Sequence, residues 1–495
     1  MRKSFAMVAL AVVATASFIG GCRTVVRQQP VDGKLLVFHM DFNIIQMNRA
    51  TVSDLLRKAA DNGYNAILWE IENKVQLDTI PPAIHPEAFT KDEFRAILAE
   101  ADALGLEAIP LLQTFGHGEY VLNCKEYKHL REQHDKPDCY CVSKPEVREL
   151  HLRLVNEYLQ LFGDRVKRFH LGGDEAYCFG SCPICKKRNR IELYVEHLEA
   201  LVKPIRERGI RPGVWHDMLL DPQHAADRAK MPADYTIWYW DYGYGASKAR
   251  TTAGDKKIES LRKEGREMIL CGASQSSGED PFFPRAKFHR DNLTALAESA
   301  RKTCAGFCVT SWSIRQSLKR FQYPLIDYAA QRYLAPSADA AEDWKAAVTR
   351  AFGAEVTPEM VDGLFSCDHY LNGVDGRQWT FFKEGIPPPP LYYRQWMKDY
   401  PTYVDNFADR AAKEKARVIK ELAKWKAIKS GNELVALAVR AGEMKLVLCE
   451  TIRAALKGEK YSPCPLDELA ALYSVDQSEI SAANSARLVF GFYAD

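Results

Sequence analysis

Short apolar runs alternate with longer amphipathic stretches between residues 35 and 312. Nearly continuous apolar runs are typical of parallel strands that are buried on both faces. The stretches between them place apolar residues at helical spacing, and several end near a glycine that can follow a helix. The pattern predicts strands at Leu35–Asp41, Ala66–Glu70, Leu106–Gln113, Val166–Leu171, Gly213–Trp215, Thr236–Trp240, Met268–Ser274 and Gly306–Trp312.

Eight strand–helix units favour an α/β fold of the (β/α)8 TIM-barrel type. A doubly wound sheet is the alternative, but no glycine-rich phosphate loop follows any predicted strand. From about Ser337 onward the pattern becomes mostly helical. We therefore predict a catalytic barrel over residues 34–336 and a mainly helical C-terminal domain over residues 337–495.

The N-terminus has the features of a lipoprotein signal peptide. Basic residues precede a small apolar segment that ends at Gly20-Gly21-Cys22. The segment is too short to span a membrane comfortably, and a cysteine directly after two small residues is what lipoprotein processing requires. We expect residues 1–21 to be removed, Cys22 to be lipidated and residues 22–33 to form a tether. The protein would then lie in a bacterial cell envelope, on the outer membrane or facing the periplasm; ordinary cleavage that leaves Cys22 free is the alternative.

Composition and net charge argue against a nucleic-acid-binding protein. The chain is 47% hydrophobic and 27% charged, as in soluble globular proteins. Its formal net charge of +2 gives no reason to expect nucleic acid as a partner.

Two adjacent acids, Asp174 and Glu175, follow the fourth predicted strand and the glycines Gly172 and Gly173. Neighbouring side chains within a strand point to opposite faces, but the glycines would let both acids turn toward one pocket at the strand end. Close carboxylates raise the pKa of one member of a pair, and cleavage of a glycosidic bond needs such a proton donor. A surface acidic pair is the alternative reading of these two residues.

The run from His170 to Glu175, His-x-Gly-Gly-Asp-Glu, resembles the signature of glycoside hydrolase family 20, the β-N-acetylhexosaminidases. Further segments resemble the hexosaminidase D-like branch of that family and occur in the same order. They are Tyr64–Lys74, Pro110–Leu122, Cys141–Glu146, Trp215–Met218 and Trp240–Tyr242. The resemblance covers roughly residues 35 to 320.

The resemblance implies an exo-acting enzyme that removes terminal GlcNAc or GalNAc from a glycan without a cofactor. In this family the 2-acetamido oxygen of the substrate attacks the anomeric carbon and forms an oxazolinium intermediate, so the configuration is retained. Carried over, Glu175 is the general acid and then the general base, and Asp174 holds the acetamido N–H. His117 would support the pair by hydrogen bonding; a purely structural histidine is the alternative.

A pocket for an acetamidosugar needs aromatic walls and a few polar groups. Trp215 and Trp312 are the stronger wall candidates. Trp238 and Trp240 lie two residues apart and share a face, which could be the helix side instead of the pocket. The candidate polar groups are Tyr242, for the acetamido oxygen, and Asp217 and Glu72, for sugar hydroxyls.

The first predicted strand ends in His39-Met40-Asp41 and carries no arginine. Better-known members of the family have an arginine there that binds the 3- and 4-hydroxyls of the sugar. Its absence fits the hexosaminidase D-like branch, and we expect both GlcNAc and GalNAc to be accepted.

Cysteines cluster near the acid pair. Cys182-Pro-Ile-Cys185 has zinc-knuckle spacing, and Cys139, Cys141 and Cys178 are close in sequence. The possible structural cluster consists of Cys139, Cys178, Cys182 and Cys185, with Cys141 as an alternative to Cys139. In an oxidising compartment disulfides compete with this metal site and are the favoured reading. The proposed chemistry itself needs no metal.

Two other classes of protein remain open from the sequence. One is a catalytically silent glycan-binding lipoprotein on a barrel scaffold, against which the intact acid pair argues. The other is a barrel enzyme of different chemistry, such as a metal-dependent isomerase, which would need carboxylate and histidine ligands that converge on a metal.

Overall fold

Eight parallel strands form the centre of the molecule and close into a barrel. The computed structural model describes residues 33–219, 225–276, 281–312, 318–366, 401–457, 459–460 and 465–490. The barrel strands are β1 Leu35–Asp41, β2 Ala66–Glu70, β3 Glu107–Leu111, β4 Arg168–His170, β5 Arg211–Trp215, β6 Thr236–Trp240, β7 Met268–Gln275 and β8 Gly306–Ser311.

Strand β1 closes the barrel by pairing with both β2 and β8, with Asp41 opposite Glu70 and Leu35 opposite Gly306. Alternate residues of each strand point inward, where Val37, Leu68 and Ile109 belong to one interior cluster. The intervening residues pack against the surrounding helices in a second, larger cluster. Burial on both faces explains the nearly continuous apolar strands, and the predicted fold class is confirmed.

The helices begin and end at recognisable signals. Asn48 accepts a hydrogen bond from the backbone of Thr51 at the start of the first helix, and Thr90 and Glu93 form a capping box at the start of the second. The helices of the barrel are α1 Arg49–Asp61, α2 Lys91–Ala103, α3 Pro145–Phe162, α4 Arg190–Arg206, α5 Lys248–Lys263, α6 Ala286–Thr303 and α7 Tyr323–Leu334. A single helical turn, Ala225–Arg228, lies between β5 and β6, and the long connection after β3 contains an antiparallel hairpin, Arg131–Gln133 with Lys136–Tyr140.

The C-terminal part is helical, as the sequence predicts, and packs on the barrel. The buried carboxylate of Asp476 lies 3.0 Å from the Arg320 guanidinium, which follows β8, and the hydroxyl of Tyr473 donates to the carbonyl of Pro281. The domain boundary at residue 337 stays a prediction. The helices are α8 Ala340–Phe352, α9 Pro358–Leu364, α10 Pro401–Lys426, α11 Glu433–Lys457, α12 Leu466–Tyr473 and α13 Glu479–Phe490.

Strands β3 and β4 are shorter than predicted. The chain stays buried beyond Leu111 and His170, but Gly172 and Gly173 take φ angles of 63° and 89°, so the backbone leaves the ladder after β4. Apolarity marks burial and does not by itself mark the last hydrogen-bonded residue of a strand.

The predicted signal peptide (1–21) lies outside the described residues, as do Cys22 and nearly all of the tether (22–33). Lipidation therefore stays a prediction. None of the described helices is both long and apolar enough to cross a bilayer.

Candidate active site

Three non-glycine residues have a positive φ angle in the described part of the chain: Glu72 at 42°, His117 at 51° and Glu175 at 45°. Each follows the carboxyl end of one of three neighbouring strands, β2, β3 and β4. The left-handed region costs an L-residue about 1–2 kcal/mol, so it persists where the surrounding structure imposes it, commonly at functional sites. The carboxyl-terminal rim of the barrel, where barrel enzymes carry their chemistry, is therefore the candidate active site.

The turn after β4 depends on its two glycines. A Cβ atom at Gly172 would lie 2.1 Å from Oε1 of Gln113, and one at Gly173 would lie 2.5 Å from the hydroxyl of Tyr194. The turn separates the two acids by depth: the Asp174 side chain is 5% exposed and that of Glu175 is 37% exposed. One acid is thus enclosed, and its neighbour reaches solvent.

His117 lies between the two acids. Its Nε2 atom is 3.5 Å from Oδ2 of Asp174 and 3.7 Å from Oε2 of Glu175. Burial acts to lower the pKa of His117, but the charge of Asp174 and a hydrogen bond to it, with the charges of Glu119 and Glu175, raise that pKa well above its usual value. The raised pKa favours the imidazolium form of His117 beside the acid pair.

Asp217 fixes the backbone of Glu175. Its Oδ2 atom accepts a hydrogen bond of 2.8 Å from the Glu175 backbone N–H, while the hydroxyl of Tyr177 donates to Oε1 of the Glu175 side chain at 2.8 Å. Burial and the nearby charge of Asp174 raise the pKa of Asp217 to about 7. The sequence suggests Asp217 as a ligand for a sugar hydroxyl, and the structure gives one of its oxygens a positioning contact.

Two carboxylate oxygens at the site are buried and have no hydrogen-bond partner among the described protein groups. They are Oδ1 of Asp174 and Oδ1 of Asp217. A buried polar atom is costly unless it is paired, so both are candidate contacts for a polar ligand.

The four tryptophans form one aromatic layer. Trp215 and Trp238 are buried inside the barrel with ring centroids 6.2 Å apart, and Trp240 and Trp312 pack on this interior cluster and are partly exposed. Trp238 and Trp240 therefore face the interior and not the helices. The indole N–H groups of Trp215 and Trp240 are buried without a partner among the described residues.

Tyr242 contacts two of these tryptophans. Its ring stacks on Trp240 at a centroid distance of 5.5 Å, and its hydroxyl accepts a hydrogen bond from the indole N–H of Trp312. Trp312 in turn lies 5.7 Å from Trp215 between ring centroids. The predicted aromatic wall residues are thus brought together.

Glu72 lies deeper than the sequence suggests. It is 4% exposed, and its negative charge adds to the effect of burial in raising the pKa of Tyr158 on α3. The predicted role of Glu72 as a ligand for a sugar hydroxyl stays a prediction.

Sequence reasoning did not single out a buried polar group formed by His39, Glu70 and Gln113. Nε2 of His39 lies 3.0 Å from Oε2 of Glu70, and the Gln113 amide donates to Oε1 of Glu70 at 2.9 Å. Burial, and next the charge of Asp41, raises the pKa of Glu70 well above its usual range, and burial lowers that of His39 to about 4. Both shifts favour the uncharged forms of the two side chains. The ring of His39 contacts Trp312 edge-on at 4.7 Å, so this group forms part of the site.

The predicted cysteine cluster divides into two. Cys182 and Cys185 group with Cys141 and Glu132, whereas Cys139 and Cys178 group with Asp138. The predicted set of Cys139, Cys178, Cys182 and Cys185 is therefore wrong. Cys139 lies within the strand Lys136–Tyr140, whereas Cys141 follows the end of that strand and its thiol contacts Cys182 and Cys185. The described cysteines are free thiols, contrary to the favoured disulfides.

Potential metal ligands also occur at the rim. The ligand atoms of His39, Asp41 and Glu70 lie within 4.8 Å of one another. Both carboxylate oxygens of Glu70 already take part in hydrogen bonds with His39 and Gln113, which is the arrangement of a hydrogen-bonded polar group.

A closed (β/α)8 barrel with an enclosed acid, an accessible acid and an aromatic layer at its rim has the make-up of a carbohydrate-active barrel enzyme. Residues 48–273 match the family model for the glycosyl hydrolase family 20 catalytic domain. The barrel of this chain is therefore similar to the catalytic domain of glycoside hydrolase family 20, and the chain is a glycoside hydrolase whose relatives include hexosaminidase D.

The relatives agree with this assignment. The chain is 27% identical to hexosaminidase D of Bos taurus over 322 residues, which are 60% of this chain and 91% of that protein. It is 28% identical to hexosaminidase D of Homo sapiens over 222 residues, 42% of this chain and 45% of the human protein.

Solved structures show the same fold. The Flavobacterium johnsoniae chitobiase matches with a TM-score of 0.52 and 14% identity over 92% of this chain and 77% of that one. The β-N-acetylhexosaminidase of Bacteroides fragilis matches with a TM-score of 0.50 and 15% identity over 64% and 70% of the two chains.

Proposed function

We propose that this protein is an exo-acting β-N-acetylhexosaminidase that removes terminal GlcNAc or GalNAc by a retaining, substrate-assisted mechanism. The observation that carries the proposal is the asymmetry of the acid pair. Asp174 is enclosed, with Oδ2 toward His117 and Oδ1 unpaired among the described residues, whereas Glu175 reaches solvent beside it.

In the first step the acetamido oxygen of the substrate forms a bond to the anomeric carbon as the bond to the leaving oxygen breaks. Glu175 donates its proton to that oxygen. The oxazolinium that forms carries positive charge on its N–H group, and Oδ1 of Asp174 can accept that N–H and stabilise the charge at short range in a water-poor site. In the second step water attacks the anomeric carbon, Glu175 takes its proton and the acetamido oxygen leaves.

His117 supports both acids in this scheme. A positive imidazolium near Asp174 and Glu175 keeps Asp174 oriented and limits repulsion when both acids are ionised, between the two steps. Asp217 and Tyr177 hold the backbone and the side chain of Glu175.

The aromatic layer supplies the apolar surface that an acetamidosugar needs. Trp312, which is partly exposed and packs on the buried Trp215, would contact the methyl group and the C–H faces of the sugar. We expect the hydroxyl of Tyr242 to donate to the acetamido oxygen. The site has no arginine at the end of β1, so we expect GlcNAc and GalNAc both to be hydrolysed. We place the enzyme in the cell envelope, anchored through a lipid on Cys22.

The experiment compares purified wild-type protein with Glu175→Gln on aryl β-GlcNAc and aryl β-GalNAc. Loss of the general acid should reduce kcat by about 10²–10⁴-fold, and the loss should be smaller for a better leaving group. Glu126→Gln changes a partly exposed surface acid in the same way and should leave the rate unchanged.

Activity that survives Glu175→Gln with every leaving group would refute the assignment of the acid. A folded wild-type protein that binds terminal N-acetylhexosamine and never hydrolyses it, in aryl or natural glycosides, would instead identify a glycan-binding protein.

A further inference from the structure

Three cysteines and one glutamate come together beside the active site, outside the catalytic machinery. Glu132 lies on the hairpin, Cys141 directly follows it, and Cys182 and Cys185 lie on the loop between Glu175 and α4. All four ligand atoms lie within 4.8 Å of one another. The cluster therefore joins two segments that are separate in sequence.

The spacing of the sulfurs matches a tetrahedral metal. Sγ of Cys141 lies 3.6 Å from Sγ of Cys182 and 3.7 Å from Sγ of Cys185. Zn–S bonds of about 2.3 Å in tetrahedral geometry place sulfurs roughly 3.8 Å apart. A disulfide needs about 2.05 Å, and Cys141 is nearly equidistant from two candidate partners, so neither pairing is favoured.

The surroundings also suit a metal–thiolate site. The backbone N–H of Cys185 donates to Sγ of Cys182 at 3.3 Å, and the Ser143 hydroxyl lies 3.0 Å from Sγ of Cys185. Such contacts stabilise thiolates and orient metal ligands. Cys141 and Cys185 are buried, which protects a bound ion from solvent.

Glu132 points to a cation most directly. Its side chain is buried, and its hydrogen bonds run to the backbone N–H of Cys182 at 2.8 Å and to the thiol of Cys185 at 3.5 Å. Among the ion pairs of the described residues, none gives Glu132 a lysine or arginine partner. A buried carboxylate without a cationic side chain beside it is costly unless a cation contacts it directly, and a divalent metal that coordinates its oxygen is such a cation.

We propose that Glu132, Cys141, Cys182 and Cys185 form a structural Zn²⁺ site. On binding, the three thiols release their protons to solvent, and the three sulfurs and one carboxylate oxygen complete a closed tetrahedron without a position for substrate. The ion ties the hairpin to the loop that follows Glu175 and so braces Tyr177, which contacts the Glu175 carboxylate. The site is independent of the assignment of the reaction.

The test is the metal content of the full-length protein, purified without chelator and analysed by elemental mass spectrometry. We expect about one Zn²⁺ per chain in the wild type and loss of most of it in Cys182→Ser and in Cys141→Ser. Cys124→Ser removes a thiol outside both cysteine groups and should retain the metal. Replacement with Co²⁺ should give the strong visible absorption of a tetrahedral thiolate site, a readout that does not depend on activity.

Two results would overturn the proposal. The first is wild-type protein that takes up neither Zn²⁺ nor Co²⁺ after reduction and reconstitution, whether its thiols are free or joined in a disulfide that lowers the mass by two hydrogens. The second is a full Zn²⁺ content in folded Cys182→Ser and Cys141→Ser, which would place the ion elsewhere. A variant that fails to fold would also lose its metal. In that case the Co²⁺ spectrum of the wild-type protein tests the proposal, because it reports thiolate coordination without any substitution.

Discussion

Gly116 sets the distance between the loop that carries His117 and the backbone of the acid pair. A Cβ atom at Gly116 would lie 2.4 Å from the carbonyl oxygen of Asp174 and 3.1 Å from the backbone nitrogen of Ala176. Real Cβ contacts are essentially never shorter than 3.0 Å, so Gly116→Ala must open this contact by at least 0.6 Å, the difference between 3.0 and 2.4 Å. The obstacle is backbone and not a side chain that can rotate away, so Asp174 must shift relative to His117.

A misplacement of about 1 Å in a catalytic group can cost on the order of 10²-fold in rate. We therefore expect Gly116→Ala to lower kcat/KM on aryl β-GlcNAc by roughly 10- to 100-fold. Overpacking should also lower the free energy of unfolding by about 1–3 kcal/mol, which denaturant unfolding would measure.

Gly431→Ala is the matched control, because a Cβ atom there meets nothing within 4 Å. It should leave both kcat/KM and stability close to the wild-type values. A folded Gly116→Ala enzyme with wild-type kcat/KM would refute the argument that this contact positions the acid pair.

Two further predictions concern residues that hold the site together. The raised pKa of Asp217, about 7, means that the folded state binds a proton more tightly than the unfolded state, so this group makes stability fall as pH rises from about 4 to 7. Asp217→Asn should therefore gain Tm relative to the wild type between pH 5 and pH 8, and a Tm difference that does not change with pH would contradict the shift. Tyr242→Phe removes the hydroxyl that we expect to donate to the acetamido oxygen, so kcat/KM should fall by about 10-fold. The same change leaves the indole N–H of Trp312 without its acceptor, so Tm should also fall; unchanged kcat/KM would exclude Tyr242 from the pocket.

Much of the barrel is predictable because burial on both faces leaves a strong apolar signal. The predicted bounds of β1, β2 and β6 equal the observed ones. Gly172 and Gly173 before Asp174 also indicate a turn, and the structure has no room for a Cβ atom at either position. The sequence therefore locates the acid pair on the rim.

The buried polar group at His39 can also be predicted from the alternation of side chains along the strands. Val37 faces the barrel interior, so residues two and four positions later, His39 and Asp41, face it as well. By the same alternation, Glu70 on β2 faces the interior because Leu68, two residues earlier, does. Extending the inward-facing register to the end of each strand would have identified these residues.

Other features depend on long-range packing that leaves no local trace. Nothing in the sequence requires Glu72 or His117 to take a positive φ angle, since no glycine stands there. The division of the cysteines likewise depends on how the hairpin meets the loop after β4, and Cys139 and Cys141 are equivalent by spacing alone.

The most direct test of the substrate-assisted mechanism is the rate on aryl β-glycosides whose acetamido group carries zero, one, two or three fluorines. Fluorine withdraws electrons from the acetamido oxygen and weakens it as a nucleophile. If that oxygen attacks the anomeric carbon, kcat/KM should fall steeply and steadily along the series. A rate that does not depend on fluorination would show that the attacking group belongs to the enzyme or to water, and would contradict the roles proposed for Asp174 and Glu175.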